Sequence, residues 1–477
     1  MGSGQVTSSV SPDFQGMHVT VAGLGVSGVP AAKVLHARGA VVTVVNDGDD
    51  ARAREQAAEL EALGVTVRLG DGATLPEGTE LIVTAPGWQP DKPLFQAARA
   101  AGVDIWGDVE LAWRLRGPEA APWLAVTGTN GKTTTVQMLA SILKAAGLRT
   151  AAVGNIGVSL LDAVLGDQEY DVLAVELSSY QLHWAPSLRA HSAAVLNLAP
   201  DHLDWHGSME AYAKDKGRVY EGNRVACVYN VADKLTEELV READVEEGCR
   251  AIGFTLGTPG PSQLGVVDGI LVDRAFVENR HKNAQELAEV SDVHPPAPHN
   301  IANALAAAAL ARAFGVPPTA VRDGLRAFTP DAHRIAHVAD VDGVAYVDDS
   351  KATNTHAAEA SLASYESIVW IAGGLAKGAT FDELVAKSAK RLRGVVLIGA
   401  DRALIREALA RHAPEVPVVD LDRTDTGAMP AAVREARRLA VAGDTVLLAP
   451  ACASMDMFAN YNKRGDAFAQ AVRELGA

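Results

Sequence analysis

An apolar run from Trp123 to Thr127 passes directly into Gly128-Thr129-Asn130-Gly131-Lys132-Thr133-Thr134, and then into an Ala/Leu-rich stretch from Thr135 to Ala146. A buried strand that turns through glycines into a helix is the building unit of a parallel α/β sheet, whose ligands lie at the carboxyl ends of its strands. Backbone N–H groups in such a loop can close around phosphates, Lys132 supplies a cation, and Thr133 offers a hydroxyl to Mg²⁺. The standard phosphate loop would place its first glycine at Val126, so a purely structural turn stays open as the alternative.

Downstream, Val172 to Val175 ends at Glu176, and Ala193 to Leu196 ends at Asn197-x-x-x-Asp201-His202-Leu203-Asp204. Strand ends of one parallel sheet are neighbours, so Glu176 and His202 could both face the phosphate loop and bind a metal there. A solvated carboxylate and a capping histidine are the plainer alternatives. His202-x-Asp204-x-His206 also has zinc-like spacing, without a further ligand close by.

Upstream, an apolar run from His18 to Ala22 leads into Gly23-Leu24-Gly25-Val26-Ser27-Gly28, a helical pattern to Arg38, and a second run ending at Asn46-Asp47. This fits a dinucleotide fingerprint with Asp47 as its ribose acid. Another nucleotide, or a helix-packing turn, fits as well. After Phe328-Thr329-Pro330, apolar runs at 368–372, 395–398 and 445–448 alternate with helical stretches. We therefore expect three α/β domains, residues 1–117, 118–330 and 331–477, with a hairpin-bearing insertion between Thr255 and Pro298.

A chain of 477 residues accommodates about three domains. Its 43 Lys and Arg against 59 Asp and Glu give a formal charge of −16, which argues against nucleic-acid binding. No apolar run approaches the roughly 18 residues that span a bilayer. The three cysteines have no CxxC spacing, so neither a disulfide framework nor a cysteine zinc site is expected. Residues 1–16 lack the basic start and apolar core of a secretory leader. A cytoplasmic monomer is expected.

Seven motifs, in order, carry a resemblance. They are Gly128 to Thr134, Gly154-Asn155-Ile156-Gly157, Glu176-Leu177-Ser178-Ser179, Asp201-His202-Leu203-Asp204, His299-Asn300-x-x-Asn303-Ala304, His333-Arg334, and Asp349-Ser350-Lys351-Ala352-Thr353-Asn354. Together they resemble the Mur ligases, ATP-dependent enzymes that extend the peptide of the peptidoglycan precursor. The early glycine loop and Ala449-Pro450-Ala451-Cys452-Ala453-Ser454-x-Asp456-x-Phe458, with Arg464-Gly465 and Phe468, are most similar to members that add D-glutamate to UDP-N-acetylmuramoyl-L-alanine. A sister ligase adding another amino acid, such as L-alanine, or a folylpolyglutamate synthetase shares the central motifs. A dinucleotide-dependent dehydrogenase and a non-catalytic nucleotide-binding module also stay open.

The resemblance implies a Rossmann-like N-terminal domain for UDP, a P-loop NTPase-like central domain with a mixed sheet for ATP, and a Rossmann-like C-terminal domain for the amino acid. Val26, Ser27, Asp47, Gly48 and Gly87 match positions around UDP. Asn155, Ser178, Gln181 and His202 match positions near the muramoyl-alanine end. Gly128, Thr129, Asn130, Gly131, Lys132, Thr133 and Thr134, with Asn303, Arg334 and Asp349, match ATP contacts, and Lys351 a position near the reacting phosphate. Two Mg²⁺ are implied, one on Thr133 and Glu176, the other on Glu176 and His202, with Lys216 as a carbamate formed from CO₂. Thr353, Lys377, Ser454 and Tyr461 match the D-glutamate site. Tyr461 stands where relatives tend to have phenylalanine, and Leu375 and Ala376 occupy positions that are commonly polar.

Overall fold

The computed structural model describes residues 12–475; residues 1–11, most of the segment considered for a leader, lie outside the described residues. It has three sheets and a three-domain α/β fold. The first sheet comprises β1 (His18–Ala22), β2 (Val41–Asn46), β3 (Thr66–Leu69), β4 (Leu81–Thr84) and β5 (Asp104–Gly107), in the order β3-β2-β1-β4-β5. All pairs are parallel. The chain reverses direction in the sheet at β1, which places the loop after β1 at a topological switch point. Gly28 begins the following helix so close to β1 that a Cβ there would lie 1.9 Å from the Gly23 carbonyl oxygen.

The second sheet holds β6 (Trp123–Thr127), β7 (Thr150–Gly154), β8 (Val172–Glu176), β9 (Ser192–Val195), β10 (Ala226–Asn230), β11 (Arg250–Phe254), β12 (Gln263–Val267), β13 (Ile270–Asp273) and β14 (Gln285–Glu289). Its order is β14-β13-β12-β11-β10-β9-β6-β8-β7. β6 lies between β9 and β8 and is wholly buried, as a strand covered on both faces must be. The hairpin expected between Thr255 and Pro298 is present as β12–β13, and the segment extends this sheet. β12 joins β11 in parallel, the β12–β13 and β13–β14 pairs at the edge are antiparallel, and the turn between β12 and β13 is Asp268-Gly269, both with positive φ, a typical two-residue hairpin connection.

The third sheet contains β15 (Ala336–Val341), β16 (Val344–Asp348), β17 (Ile368–Gly373), β18 (Leu392–Ile398), β19 (Val418–Asp420) and β20 (Thr445–Leu448), ordered β15-β16-β20-β17-β18-β19. Only the edge pair β15–β16 is antiparallel. The chain forms two compact units: residues to Val293 with 301–328, which hold the first two sheets, and residues 294–300 with 329 onward, which hold the third.

Candidate active site

After β6 the chain turns through Gly128 and Gly131 (φ +149° and +83°) into the helix Lys132–Ala145, whose N-cap is Gly131. No side chain caps that terminus, so its first N–H groups favour an anion. Asn303 packs onto the loop, and a Cβ on Gly131 would lie 2.4 Å from its Oδ1. Opposite, Asn197 Oδ1 accepts from the Asn130 N–H at 2.9 Å, and its Nδ2 donates to the Asn130 carbonyl at 3.1 Å. Lys132 Nζ donates to the Gly128 and Thr129 carbonyls, both at 2.9 Å. The Thr129 hydroxyl turns inward to Ala199 and to the Tyr212 hydroxyl at 2.9 Å, so it shapes the loop from within. Thr133 is half-buried and Thr134 buried on the first helical turn.

Glu176 ends β8 in register with Val126 of β6, immediately beside the phosphate loop. Its Oε1 accepts from Asn155 Nδ2 at 3.1 Å, while Oε2 is buried without a hydrogen-bond partner. A buried carboxylate oxygen in that state calls for a cation. Lys216 approaches from the helix Met209–Gly217. It is fully buried, its Nζ donating to the Gly128 carbonyl at 2.8 Å and lying 4.8 Å above the Tyr212 ring. Burial and the charge of Lys132 drive its pKa well below the usual lysine value, against the pull of Asp201 and Glu176. Lys214, two residues away, is exposed.

His202 has φ +54° and starts the short helix Leu203–His206. Desolvation lowers its pKa, as do Lys132 and Lys216, while Asp201 opposes them; the neutral imidazole that results is the metal-binding form. His206 does not join it. Both His206 ring nitrogens are engaged, Nδ1 with Asp215 at 3.0 Å and Nε2 with the Ser179 hydroxyl at 2.9 Å, which disposes of the zinc-like spacing. Among the described residues no three His, Cys, Asp or Glu side chains come together to hold a metal. Asp215 also accepts from His183 at 2.9 Å and Arg218 at 3.0 Å. This hub therefore ties together the segments that follow Glu176 and His202 and the helix carrying Lys216. Sequence reasoning misses it, because its members are ordinary polar residues with no motif of their own.

A cavity of about 700 Å³ lies between the first two sheets. The first glycine loop lines it with Val26 and Ser27, Gly87 closes one side, and Asn155 and Gln181 line the other. Asp47, Gly48, Ser178 and His202 are not among the lining residues. Asp47 instead pairs with Lys92 at 2.6 Å, Gly48 accepts at its carbonyl from Asn46 Nδ2 at 2.8 Å, and Ser178 forms a capping box with Gln181. Near Gly87, the Trp205 indole donates to the Gly87 carbonyl at 3.2 Å, which fixes the His202 loop against the first sheet's loop.

Residues 17–107 match a domain described as Mur ligase MurD-like, N-terminal; residues 126–311 match the Mur ligase middle domain and 333–452 the Mur ligase glutamate ligase domain. A UDP-N-acetylmuramoylalanine–D-glutamate ligase of Streptomyces avermitilis is 89% identical over 98% of this chain and 100% of its own length. The chain belongs to the Mur ligase family. A ligase of the same name from Thermobifida fusca is 60% identical, covering 97% of this Mur ligase and 99% of its own chain. The crystal structure of UDP-N-acetylmuramate-alanine ligase from Thermotoga maritima shares the fold, with a TM-score of 0.54 at 19% identity over 96% of this chain and all of its own.

In the other unit of this Mur ligase, the loops after β16, β17 and β20 lie side by side because those strands are adjacent. The Ala451 N–H donates to the Ala352 carbonyl, and Leu375 and Ala453 exchange both backbone bonds. These links bring Thr353, Lys377 and Ser454 to one sheet end; Lys377 is exposed with φ +50°, and Ser454 is buried. Lys351 Nζ sits 4.1 Å from the centre of the Tyr461 ring, a cation–π pair. Asp349 accepts from Ser361 and from the Ile335 N–H, and burial raises its pKa to about 6. The charge of Arg334 acts on it from nearby.

Proposed function

We propose that this Mur ligase uses ATP to join D-glutamate, through an amide bond, to UDP-N-acetylmuramoyl-L-alanine in peptidoglycan precursor synthesis. One observation carries the reading: the cavity leads from the first glycine loop to Asn155, whose amide holds Glu176 beside the phosphate loop. An acceptor lying along it with its nucleotide at the glycine loop presents its far carboxylate to the γ-phosphate. The names of the relatives support D-glutamate as the amino acid. In this reading residues 1–117 take UDP, 118–330 ATP and 331–477 D-glutamate, in a cytoplasmic monomer.

The acceptor carboxylate attacks the γ-phosphorus and ADP leaves, giving an acyl phosphate. The free amine of D-glutamate then adds to the acyl carbon, and inorganic phosphate departs from the tetrahedral intermediate. Two anions 4 Å apart repel by about 4 kcal/mol at an effective dielectric of 20. Lys132 and the loop amides offset that repulsion and stabilise the transferring phosphoryl group. Two Mg²⁺ ions, when bound, supply further charge neutralisation and orientation. Thr133 and Glu176 would hold one; Glu176, His202 and a carbamate on Lys216 would hold the other. The unpartnered Glu176 oxygen and the neutral His202 ring support this donor set. Burial favours the uncharged Lys216 amine, the form that adds CO₂, and the added group would make this side chain an anionic ligand. Asn303, Arg334 and Asp349 would contact the nucleotide, and Lys351 the reacting phosphate. Thr353, Lys377, Ser454 and Tyr461 would form the D-glutamate site, where two carboxylates need a cation and hydroxyl donors.

The test is phosphate release from ATP in the presence of UDP-N-acetylmuramoyl-L-alanine with D-glutamate, L-glutamate or L-alanine in turn. Turnover confined to D-glutamate is expected. Equal turnover with L-alanine, or none with any of them, overturns the reading.

A further inference from the structure

The cavity proposed above for the acceptor contains a feature that does not suit a diphosphate. No lysine, arginine or histidine lines it, whereas two carboxylates do, Asp108 and Asp162. Asp162 is accounted for locally, since the Ser159 hydroxyl donates to it at 2.7 Å within one helix turn. Asp108 is different. It begins the helix Asp108–Leu115 directly after β5, and its Oδ2 accepts from the Ser27 hydroxyl at 3.0 Å across the mouth of the first glycine loop. Its Oδ1 is buried and has no hydrogen-bond partner. On the far side lies Gln181, whose Oε1 is occupied by the Ser178 N–H and hydroxyl at 3.0 and 3.2 Å.

Hydrogen bonds from Ser27, the Val109 N–H and the Gln181 side chain act on Asp108 but no cation does, so an ionised Asp108 would place a negative charge beside Ser27, where the glycine loop and the helix N-terminus at Gly28 are arranged to receive phosphate. The other charged groups on the surrounding elements are already paired. On Asp108's own helix, Glu110 is bonded to Arg114 and Ser187. Lys33, on the helix after the glycine loop, pairs with Glu59 at the surface, and His183, beyond Gln181, pairs with Asp215. None of these neutralises Asp108. A proton on Oδ1 would remove the charge and turn the unpartnered acceptor into a donor.

We propose that Asp108 is an acceptor-binding residue that acts as a neutral carboxylic acid, donating its Oδ1–H to an anionic oxygen of the bound UDP-linked acceptor while Oδ2 holds Ser27. The inference rests on the proposed acceptor site. Burial already raises the Asp108 pKa in the free protein, against the pull of Ser27, the Val109 N–H and the nearby Gln181 side chain, and an anion bound alongside raises it further. The sign follows from linkage: the protonated form binds, so acceptor affinity is greatest below the free-protein pKa of Asp108 and falls as pH rises above it, by up to about tenfold per unit.

The experiment is calorimetric titration of the full chain with UDP-N-acetylmuramoyl-L-alanine across pH, in buffers of different ionisation enthalpy. The wild type should take up a proton on binding and lose affinity as pH rises. Asp108→Asn, neutral at every pH, should bind within about threefold of the low-pH wild type with no Asp108-linked proton uptake, and Asp108→Ala should bind about ten- to a hundredfold more weakly. Every other titrating group is common to wild type and Asp108→Asn, so their difference isolates Asp108. Should the variants not fold, infrared difference spectra of the wild type must show a protonated-carboxyl band on acceptor addition. Identical pH dependence and proton uptake in wild type and Asp108→Asn, or no such band, overturns the inference while leaving the ligase reading intact. Failure of the wild type to bind the acceptor at all overturns both.

Discussion

The phosphate loop is most sharply tested at Gly131, because two separable strains meet there. An alanine at φ +83° occupies the left-handed region, at about 1–2 kcal/mol. Its Cβ would also lie 2.4 Å from Asn303 Oδ1 and 3.2 Å from Asn303 Cγ; displacing a packed side chain costs about 1–3 kcal/mol more. If the loop relieves both strains by leaving its nucleotide-binding shape, Gly131→Ala should weaken ATP by about 2–5 kcal/mol, or thirty- to several-thousandfold. The two parts separate in a double-mutant cycle on ATP dissociation constants. In an Asn303→Ala background the overlap is gone, and Gly131→Ala should cost only the backbone part, about five- to thirtyfold. Circular dichroism should show all three variants folded. Strictly additive effects of the two substitutions would refute the contact, because residues in direct contact couple and distant ones do not. An unchanged ATP affinity in Gly131→Ala would refute the loop as a nucleotide site.

Four further outcomes are expected. Lys132→Ala should fold normally yet lose on the order of a hundredfold or more in kcat; near-normal turnover contradicts its role at the γ-phosphate. Lys216→Ala should be nearly inactive and partly restored by acetate at constant ionic strength and free Mg²⁺, whereas the exposed Lys214→Ala should be active without it; full activity of Lys216→Ala rules out the carbamate. Lys377→Ala should raise KM for D-glutamate by about ten- to a hundredfold with little change for ATP, and an unchanged KM would make Lys377 a surface lysine. Burial disfavours ionisation of Asp215, but hydrogen bonds from His183 and His206 and the charge of Arg218 outweigh it and hold its carboxyl below the ordinary range. A depressed folded-state pKa stabilises above the unfolded value of about 4 and is lost as pH falls below it. Asp215→Asn should therefore remove part of the acid-induced loss of stability, measured by urea unfolding between pH 2 and 7; an unchanged acid limb refutes this.

What the sequence discloses and what it withholds divide along one physical line. Gly128 to Thr134 is legible because strand, turn and helix are contiguous, so local spacing alone builds the loop. Glu176 is legible one step further out, since it ends β8, which pairs with β6 beside that loop. β15 and β19 are not legible: they are edge strands of mixed exposure, and such segments carry little periodic signal. The β12–β14 strands read as an insertion because Gly and charge dominate between them, although the Asp268-Gly269 hairpin turn is visible. The polar groups that hold the candidate site together are beyond reach for a different reason. Ser27 meets Asp108 across 81 residues, Thr129 meets Tyr212 across 83, and His183 meets Asp215 across 32. None of these pairs has a spacing that chemistry requires, because the fold and not the local chain sets their distance. Residues that touch phosphate are constrained by the phosphate and so fall into motifs. Residues such as Asp108 and Asp215 are constrained only by their neighbours in the fold, and their importance becomes visible when a carboxylate is found with an unpartnered buried oxygen or with three partners.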